Sequence, residues 1–281
     1  MAHASNVRAA SKQNFLLYGG IGSGKTTAFR TLPGRKFLYM FDPAGMSSIH
    51  PTDDITYEQF LPEIISMSVS TLKGSKDQKG ANYGAADTYT QWENDFERRL
   101  SKNWFNDPSV EIDGVKGGFD AIGFDSLTTL TDLLMDRILE INGRSGKAPE
   151  LSDYGVSALT LQRIVRNANA QGMYVFFTGH ENPTQDKLLK TVSNQIMVAG
   201  QLKQKLPILF SDIYHCRADL VGGVPKFFLD TVPTEMYPTA RCSMSLKPVE
   251  EVTIPPNSQD VTKFGLGKIL REKGLWVEGG K

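Results

Sequence analysis

The chain has 281 residues, 40% of them hydrophobic, and its 31 basic and 31 acidic side chains give a formal net charge of zero. This length allows one large α/β core, and the balanced charge excludes a protein that holds a polyanion through its overall electric field. Two cysteines are too few for a disulfide framework or a zinc site. Because the sequence shows neither a signal peptide nor an apolar run of about 18 residues, we expect a cytoplasmic protein without a membrane segment.

Strands alternate with helices in the first half of the sequence. Residues 14–20 (NFLLYGG) form an apolar strand that ends in glycines, and a helical stretch follows before the second strand at 36–42 (KFLYMFD). Apolar strands that are separated by a helix indicate a parallel sheet covered on both faces. We then expect a helix within residues 52–70, a flexible excursion rich in Gly, Lys and Asp at 72–90, and a helix at 91–104.

The second half continues this alternation and then changes. Residues 119–126 (FDAIGFDS) predict a third buried strand, and the segments SLTTLTDLLMDRILEING and DYGVSALTLQRIVRNANAQG predict two amphipathic helices. A fourth strand is expected at 173–182 (MYVFFTGHEN). The segments SDIYHCRADLVG and VPKFFLDTVP predict antiparallel strands that close the sheet, and a short helix is expected near 265–273.

Together these elements predict an α/β fold. Helices would cover both faces of a mainly parallel central sheet, with antiparallel strands at its C-terminal edge. The predicted organisation has a flexible lead-in at residues 1–13, one domain at 14–248 that contains the excursion, and a C-terminal extension at 249–281. The length is compatible with one domain, or with one domain and small appendages.

A glycine-rich loop after the first strand carries the clearest chemical signal. Gly19, Gly24, Lys25 and Thr26 match the pattern GxxxxGK[ST], with a strand before it and a helix after it. Glycines let successive backbone N–H groups curl around phosphate oxygens, and the following helix offers its positive N-terminal dipole. ATP is therefore predicted to be bound by Gly19, Gly20, Ile21, Gly22, Ser23, Gly24, Lys25, Thr26 and Thr27. The alternative is a glycine turn with an incidental lysine.

A magnesium site is predicted beside this loop. The Thr26 hydroxyl would ligate Mg²⁺, and Asp125 at the end of the third strand would hold a magnesium-bound water. The alternative for Asp125 and Ser126 is a simple cap on the helix that starts there, since both residue types are favoured at that position.

Hydrolysis needs a group that orients or deprotonates the attacking water, in addition to Lys25, which would neutralise the β- and γ-phosphates. Candidates lie at strand ends: Asp42 ends the second strand, and His180 and Glu181 end the fourth. The alternative for His180 is a surface loop histidine. Arg241 is a candidate arginine finger that would reach a neighbouring subunit's triphosphate, or else a surface arginine.

Lysines that follow the fourth strand are candidate DNA contacts. Four of them lie in a segment with few acidic residues: Lys187, Lys190, Lys203 and Lys205. A similar group lies in the excursion: Lys73, Lys76 and Lys79. A solvated charged surface is the alternative for both groups, because lysines on loops are usually just exposed to solvent.

The pattern of motifs resembles the short RecA-like ATPases of bacteriophages, which are linked to single-strand annealing and recombination. The segments that carry this resemblance are LLYGGIGSGKTT, FDPAG, AIGFDSLTTL, DYGVSALTLQRIV and VFFTGHEN, and the likeness covers most of residues 14–245. It implies a RecA core, ATP use and self-assembly into a ring or filament on single-stranded DNA. It also implies a role in phage recombination or replication in the host cytoplasm, with a phage single-strand-binding or replication protein as a further partner.

Carried over by position, the resemblance makes Asp125 the magnesium aspartate and His180 the sensor after the fourth strand. The segment 183–205 would then take the position of the DNA-binding loops. One departure is important: RecA proteins carry a catalytic glutamate two residues after the aspartate that ends the second strand, and here that position is Ala44. Either Asp42 or Glu181 replaces it, or hydrolysis is slow. We therefore expect weak ATPase activity that single-stranded DNA stimulates.

Two other functions compete with this hypothesis. One is a nucleotide-gated scaffold or loader that binds a partner protein instead of DNA, and the missing glutamate favours it. The other is a small-molecule or nucleoside kinase, which would need an acceptor pocket and a cluster of lid arginines. Arg98 and Arg99 are the only adjacent arginine pair, on a predicted surface helix, so the sequence offers little for a kinase.

Overall fold

The computed structural model describes residues 12–62, 84–185, 192–198 and 202–276. Within these residues the strands are β1 (Asn14–Gly19), β2 (Lys36–Met40), β3 (Ile55–Gln59), β4 (Glu111–Ile112), β5 (Val115–Lys116), β6 (Ala121–Asp125), β7 (Tyr174–Gln185), β8 (Val192–Ile196), β9 (Asp212–Val221), β10 (Val224–Asp230) and β11 (Val249–Glu251). The α-helices of the same residues are α1 (Lys25–Arg30), α2 (Ala85–Ser101), α3 (Leu127–Ile141), α4 (Leu151–Asn169), α5 (Leu202–Lys205) and α6 (Gly265–Glu272). Short 3-10 helices lie at Pro43–Ser48, Leu206–Leu209 and Val261–Lys263.

Nine of these described strands form one sheet, and β4 and β5 form a separate small hairpin. The order is β11-β10-β9-β1-β7-β6-β2-β3, and β8 pairs with β7 outside this path. From β9 to β3 along this path, neighbouring strands are parallel. β10, β11 and β8 are antiparallel to their neighbours. The predicted α/β fold, with a mainly parallel sheet and antiparallel strands at one edge, is confirmed.

Helices cover both faces of the sheet, because the parallel strands are apolar on both sides. Leu16 faces a core formed with α2, α3 and α4, whereas the next residue, Leu17, faces a core formed with α1 and α6. α6 and β11 belong to the predicted C-terminal extension, and both take part in these layers. No helix in the described ranges combines the length and apolar character needed to span a lipid bilayer.

An edge strand occupies residues 55–59, so the helix predicted within 52–70 is wrong for this part. β3 pairs in parallel with β2, where Tyr57 lies beside Leu38. The β-branched side chains of Ile55 and Thr56 and the aromatic ring of Tyr57 favour an extended backbone. Residues 63–70 lie outside the described residues.

Helix α2 starts earlier than the sequence analysis expected. It begins at Ala85 rather than at residue 91, and it ends at Ser101 rather than at residue 104. Tyr89, Trp92 and Phe96 are buried on one face of α2, so the apolar face extends upstream of the predicted start. The excursion predicted at 72–90 is therefore wrong for residues 85–90, and its part up to residue 83 lies outside the described residues.

Two further strands differ from expectation. β7 continues past residue 182 to Gln185, because its last residues pair with β8 in an antiparallel hairpin. β9 was expected to be antiparallel, but its first residues pair in parallel with β1, with Asp212 beside Phe15. The reason is that, before β9 begins, the chain returns to the end of the sheet where β1 also begins. β10 is antiparallel to β9, as predicted.

Candidate functional site

The loop between β1 and α1 has a tightly turned backbone that only glycine adopts easily. Gly22 and Gly24 have φ angles of 75° and 86°, in the left-handed region where glycine has no steric cost. A Cβ atom on Gly19 would lie 2.2 Å from the carbonyl oxygen of Cys216 on the neighbouring strand β9. The glycines of the motif are therefore required by the turn and by the close approach of the adjacent strand.

Lys25 lies inside this loop and is only 8% exposed. Its Nζ donates hydrogen bonds to the carbonyl oxygens of Gly19 at 2.9 Å and Gly20 at 2.7 Å. Burial lowers the pKa of Lys25 from its ordinary value, and the charges of Asp125 and Glu181 act in the opposite direction. A phosphate group in the loop would compensate the buried ammonium with a direct ion pair.

Asp125 ends β6 directly beside Thr26. Thr26 Oγ1 donates to Asp125 Oδ2 at 2.6 Å, and the hydroxyl of Thr178 on β7 donates to Asp125 Oδ1. Burial raises the pKa of Asp125, and the two threonine hydrogen bonds oppose that shift. The helix cap is provided by Ser126, whose hydroxyl accepts from the Thr129 backbone N–H at 3.3 Å. Capping therefore does not occupy the Asp125 carboxylate, which faces the loop.

A carboxylate–imidazole pair lies beyond Asp125. Asp42 Oδ2 is 3.3 Å from His180 Nε2, and the Thr129 hydroxyl donates to Asp42 Oδ1. Burial raises the pKa of Asp42, but hydrogen bonds from His180, Thr129 and Ser126 outweigh this effect and hold the pKa below its usual value. Asp42 is consequently an ionised hydrogen-bond acceptor that fixes the orientation of the imidazole.

These groups line one cavity of about 450 Å³, which we call the phosphate cavity. Its lining includes most of the predicted site residues: Ile21, Gly22, Ser23, Gly24, Lys25, Thr26, Thr27, Asp42, Asp125 and His180. Ala44 also lines it, and its methyl group supplies neither a charge nor a hydrogen bond. The fold thus brings polar residues from separate strands into one space beside the glycine-rich loop.

Glu181 turns away from the phosphate cavity, because successive side chains on a strand point to opposite faces. Its Oε2 is 2.9 Å from His215 Nε2, and His215 Nδ1 is 3.0 Å from Asp230 Oδ2. We call these three residues the buried histidine cluster. Its edge touches the loop, since a Cβ atom on Gly20 would lie 3.2 Å from Glu181 Oε1. The structure does not bring Glu181 and His180 into the same cavity.

Arg241 lies at the end of the strands that is opposite to the glycine-rich loop. Its backbone bridges to Ile213 near the start of β9, and its guanidinium donates to the carbonyl oxygens of Phe210 and Ser211. The start of β9 pairs with the start of β1, whereas the loop follows the end of β1. The predicted finger role therefore stays a prediction that depends on a neighbouring subunit.

Only part of the predicted DNA-contacting group can be located. Lys203 and Lys205 lie in α5, on the connection between β8 and β9, where Lys205 is exposed and Lys203 is half-buried. The remaining predicted lysines lie outside the described residues: Lys73, Lys76, Lys79, Lys187 and Lys190. A DNA contact by these residues stays a prediction.

The oxygen atoms beside the loop fit a magnesium ion. Mg²⁺ prefers oxygen ligands, and it keeps several water molecules while binding one or two carboxylates and substrate phosphates. Thr26 and Asp125 supply a hydroxyl and a carboxylate that are already in contact. In the described part of the chain, no group of three or more His, Cys, Asp and Glu side chains could hold a metal ion by itself. The ion would therefore also depend on phosphate and water oxygens.

Three residues of the site were missed by the sequence analysis. Thr178 precedes His180 by two positions, so the period of a strand places it on the same face and would have predicted it. Thr129 lies one turn after Asp125 on α3, within reach of Asp42. No local signal identifies Phe227 on β10, whose Cδ1 would lie 2.8 Å from a Cβ atom on Gly24. That contact depends on the sheet order.

Comparison with known protein families agrees with a nucleotide site at this loop. The sequence family described as an AAA domain matches residues 11–241. Among curated proteins, none matches this sequence. One similar solved structure is described as a prototypical ATPase from the type III secretion system of pathogenic bacteria, with a TM-score of 0.43 and 8% identity. The similarity covers 74% of this chain and 54% of that ATPase, so the chain spans about half its length.

Proposed function

From the premise that this chain belongs to the AAA domain family of P-loop NTPases, we propose that it is a RecA-like, magnesium-dependent ATPase that acts on single-stranded DNA. Strand β7 carries this proposal. Its Thr178 donates to Asp125, its His180 pairs with Asp42, and the same strand continues to the hairpin at Gln185. A strand that contacts both carboxylates and then leaves the cavity is suited to report the state of the nucleotide to the hairpin.

In this proposal the phosphate cavity performs ATP hydrolysis. Lys25 binds the β- and γ-phosphates, while Thr26 and Asp125 hold Mg²⁺, which would neutralise charge that develops on the phosphate oxygens. Asp42 and His180 orient the attacking water, and Asp42 is the acceptor for its proton. The methyl group of Ala44 contributes nothing to this step, so turnover is slow. The geometry that supports these roles is the shared cavity that these side chains line.

The DNA-binding part of the proposal concerns the β7–β8 hairpin and the connection that follows it. This region lies directly beyond His180, and the segment of the sequence from 187 to 205 carries four lysines. Lysine side chains that contact DNA phosphates release counterions, so binding would weaken as salt concentration rises. The chain as a whole has no net charge, so such a contact would be local or repeated along an assembly. We propose assembly into a ring or filament on the strand, with Arg241 as a finger toward the adjacent subunit, and a role in phage recombination, annealing or replication.

A steady-state ATPase assay tests both halves of this proposal. ATP hydrolysis would be measured with Mg²⁺ in the absence of DNA, with an unstructured single strand, and with the corresponding duplex. We expect slow turnover alone, and at least about tenfold stimulation by the single strand, because a contact at the hairpin would be transmitted along β7 to Thr178 and His180. Electron microscopy of the same mixtures would show rings or filaments.

The Lys25→Ala variant is the control for this assay. It should abolish turnover under all conditions, and turnover that persists in it would contradict the nucleotide site itself. Turnover that requires Lys25 but is not stimulated by single-stranded DNA would support the ATPase activity and contradict its proposed action on DNA.

A nucleotide-gated scaffold or loader is the second candidate, because the tip of the β9–β10 hairpin is apolar. Leu220, Val221 and Val224 at this tip are 76%, 48% and 58% exposed. Exposed apolar side chains in a group favour a protein partner over a nucleic acid. Replacing all three by serine should leave ATPase activity unchanged in either case. In a loader the replacement would abolish ATP-dependent capture of a phage replication protein, whereas a DNA-stimulated ATPase would keep its response to DNA.

A further inference from the structure

A second cavity, of about 610 Å³, adjoins the glycine-rich loop on the side away from Asp42. Its volume lies within the range of small-molecule sites. One wall is the start of α1, and a second is Phe227 of β10. The third wall is formed by the chain between β11 and α6, through Val252, Ile254, Pro255, Asn257, Ser258, Gln259 and Val261. This last wall follows residue 241, where the match to the AAA domain family ends.

The two cavities adjoin at the loop and share part of their lining. Gly24, Thr27 and Phe227 line both of them. The Phe227 ring packs so closely on Gly24 that a Cβ atom there would lie 2.8 Å from it. A molecule whose terminal phosphate lies between Lys25 and Asp125 would therefore extend past Gly24 and Thr27 into the second cavity.

The chemistry of the second cavity differs from that of the phosphate cavity. Its walls combine apolar surface, from Phe227 and Ile254, with the neutral amides of Asn257 and Gln259. Its one arginine, Arg30, is engaged by Asp53, with Nε 2.6 Å from Oδ2. His50 and Thr52 also line this cavity. An apolar wall with amide groups at its edge suits a flat, uncharged ring system with polar edges.

The outer wall is held in position by its own hydrogen bonds. The Val252 backbone N–H donates to the Phe227 carbonyl oxygen at 2.8 Å, and the Phe227 N–H donates to Thr253 Oγ1 at 3.0 Å. At the other end, Asp260 Oδ1 accepts from the Thr262 N–H at 3.0 Å and caps the 3-10 helix that leads into α6. A wall fixed at both ends is preorganised, so little conformational entropy would be lost when a ligand binds.

We propose that the second cavity binds the base and ribose of the nucleoside triphosphate, with the Phe227 ring against the base and with Asn257 and Gln259 hydrogen-bonded to its polar edge. This inference rests on the proposed function, because it assumes that the triphosphate occupies the glycine-rich loop. It assigns the selection of the base to the C-terminal segment of the chain.

Isothermal titration calorimetry with two ligands, ATP and inorganic tripolyphosphate, tests this inference in the presence of Mg²⁺. Both ligands fill the phosphate cavity, but only ATP carries a base. In the unaltered protein, ATP should bind at least about tenfold more tightly than tripolyphosphate. Phe227→Ala should raise the Kd for ATP about tenfold, the effect of losing one aromatic contact to a base. Because the Phe227 ring also packs on Gly24, the Kd for tripolyphosphate serves as the reference, and the preference for ATP over tripolyphosphate should fall about tenfold.

Asn257→Gly is a second variant that does not depend on the packing of Phe227. Asn257 has a φ of 63°, which glycine tolerates, so the change removes the amide without straining the backbone. It should reduce the preference for ATP over GTP. Asn103→Gly is the matched control, since Asn103 also has a positive φ, of 55°, and does not line the cavity.

The outcomes separate the two proposals. Equal affinity of the unaltered protein for ATP and tripolyphosphate would overturn the base-binding cavity while the phosphate site stands. A Phe227→Ala variant that weakens both ligands equally would show that Phe227 only supports the loop, and this also overturns the inference. Failure of the unaltered protein to bind either ligand would overturn the proposed nucleotide site and the base-binding cavity with it.

Discussion

Two groups of ionisable side chains lie on opposite faces of β7, and they differ in how completely they are enclosed. In the phosphate cavity, the side chains of Asp42 and His180 are 22% and 32% exposed. In the buried histidine cluster, those of His215 and Asp230 are 4% and 10% exposed. Glu181, the third member of the cluster, is 25% exposed, so the enclosure is most complete around His215 and Asp230. Asp42 and His180 border the phosphate cavity and can accept a new partner, whereas both ring nitrogens of His215 are already engaged by carboxylates.

The contacts of His215 explain the difference. Each of its ring nitrogens is within hydrogen-bond distance of a carboxylate, and the ring stacks on Tyr237 with centroids 3.8 Å apart. The cluster joins β7, β9 and β10 beside the loop. Adjacent residues of one strand thus have separate tasks: His180 faces the ligand space, and Glu181 holds strands together. The residue types of His180 and Glu181, taken alone, therefore do not show that the two side chains have different roles.

The largest effect should follow a change in the phosphate cavity. Lys25→Ala should weaken ATP binding by at least about a thousandfold, because a buried cation contributes several kcal/mol to an ion pair that excludes water. Calorimetric titration with Mg-ATP measures this. Lys268→Ala, on the exposed surface of α6, is the control and should bind as the unaltered protein does. Comparable affinities of the two variants would contradict the assignment of the loop.

A change in the buried histidine cluster should instead lower the stability of the folded protein. His215→Ala should lower the free energy of unfolding by about 3 kcal/mol, because Glu181 and Asp230 lose the donor that they share and Asp230 remains buried. Urea denaturation followed by circular dichroism measures this change. His50→Ala, at an exposed histidine, should change it by less than about 0.5 kcal/mol.

The His215→Ala variant also tests whether ATP binding is independent of the buried histidine cluster. Below its unfolding temperature, His215→Ala should bind Mg-ATP within about threefold of the unaltered protein, because it leaves the lining of the phosphate cavity unchanged. Loss of ATP binding in a folded His215→Ala protein would break the distinction between the two faces of β7.

Asp42→Asn should affect ATP turnover rather than nucleotide affinity. Its neutral amide cannot accept a proton from water, so ATP turnover should fall at least about tenfold. Nucleotide affinity should change little, since Lys25 and Asp125 remain. The measurement is steady-state hydrolysis at saturating ATP. Asp113→Asn is the control at an exposed carboxylate, and equal turnover of both variants would remove Asp42 from the reaction.

A smaller effect should appear in acid. The pKa of Asp42 is lowered in the folded protein, because hydrogen bonds from His180, Thr129 and Ser126 outweigh the effect of burial. The stability from this carboxylate is therefore present above its unfolded pKa of about 4, and it is lost as pH falls through the lower folded value. Asp42→Asn should flatten the acid side of a plot of unfolding free energy against pH. Identical slopes for variant and unaltered protein would contradict this.

The parts of the fold that follow from local patterns could be predicted. The loop, the strand that ends in Asp125 and the long helices α3 and α4 each carry a clear period or motif within their own residues. Strand β3 could not be predicted, because a short edge strand is defined by its pairing with β2 as much as by its own sequence.

The site was predictable where one strand end carries the chemistry, as with Asp42 and Asp125. The separation of His180 from Glu181 required knowledge that β7 continues past both residues, since a loop there would leave the two side chains free to converge. The position of Phe227 depends on the sheet order β10-β9-β1, which no local pattern contains. Contacts between residues far apart in sequence therefore limit what could be derived.

One such contact has a consequence for synthesis of the chain. Helix α1, which begins inside the glycine-rich loop, packs on α6, and the Leu266 N–H donates to Thr31 Oγ1 at 3.0 Å across a separation of 235 residues. At translation rates of about 5–20 residues per second, α1 would emerge from the ribosome roughly 10–50 s before this partner exists. During that interval Phe29 of α1 can already pack on Phe176 of β7, but the side of α1 that contacts α6 has no partner. The first functional element to be translated thus reaches its final packing only after the C-terminal helix has been made, and such a contact between residues far apart in sequence favours slower folding.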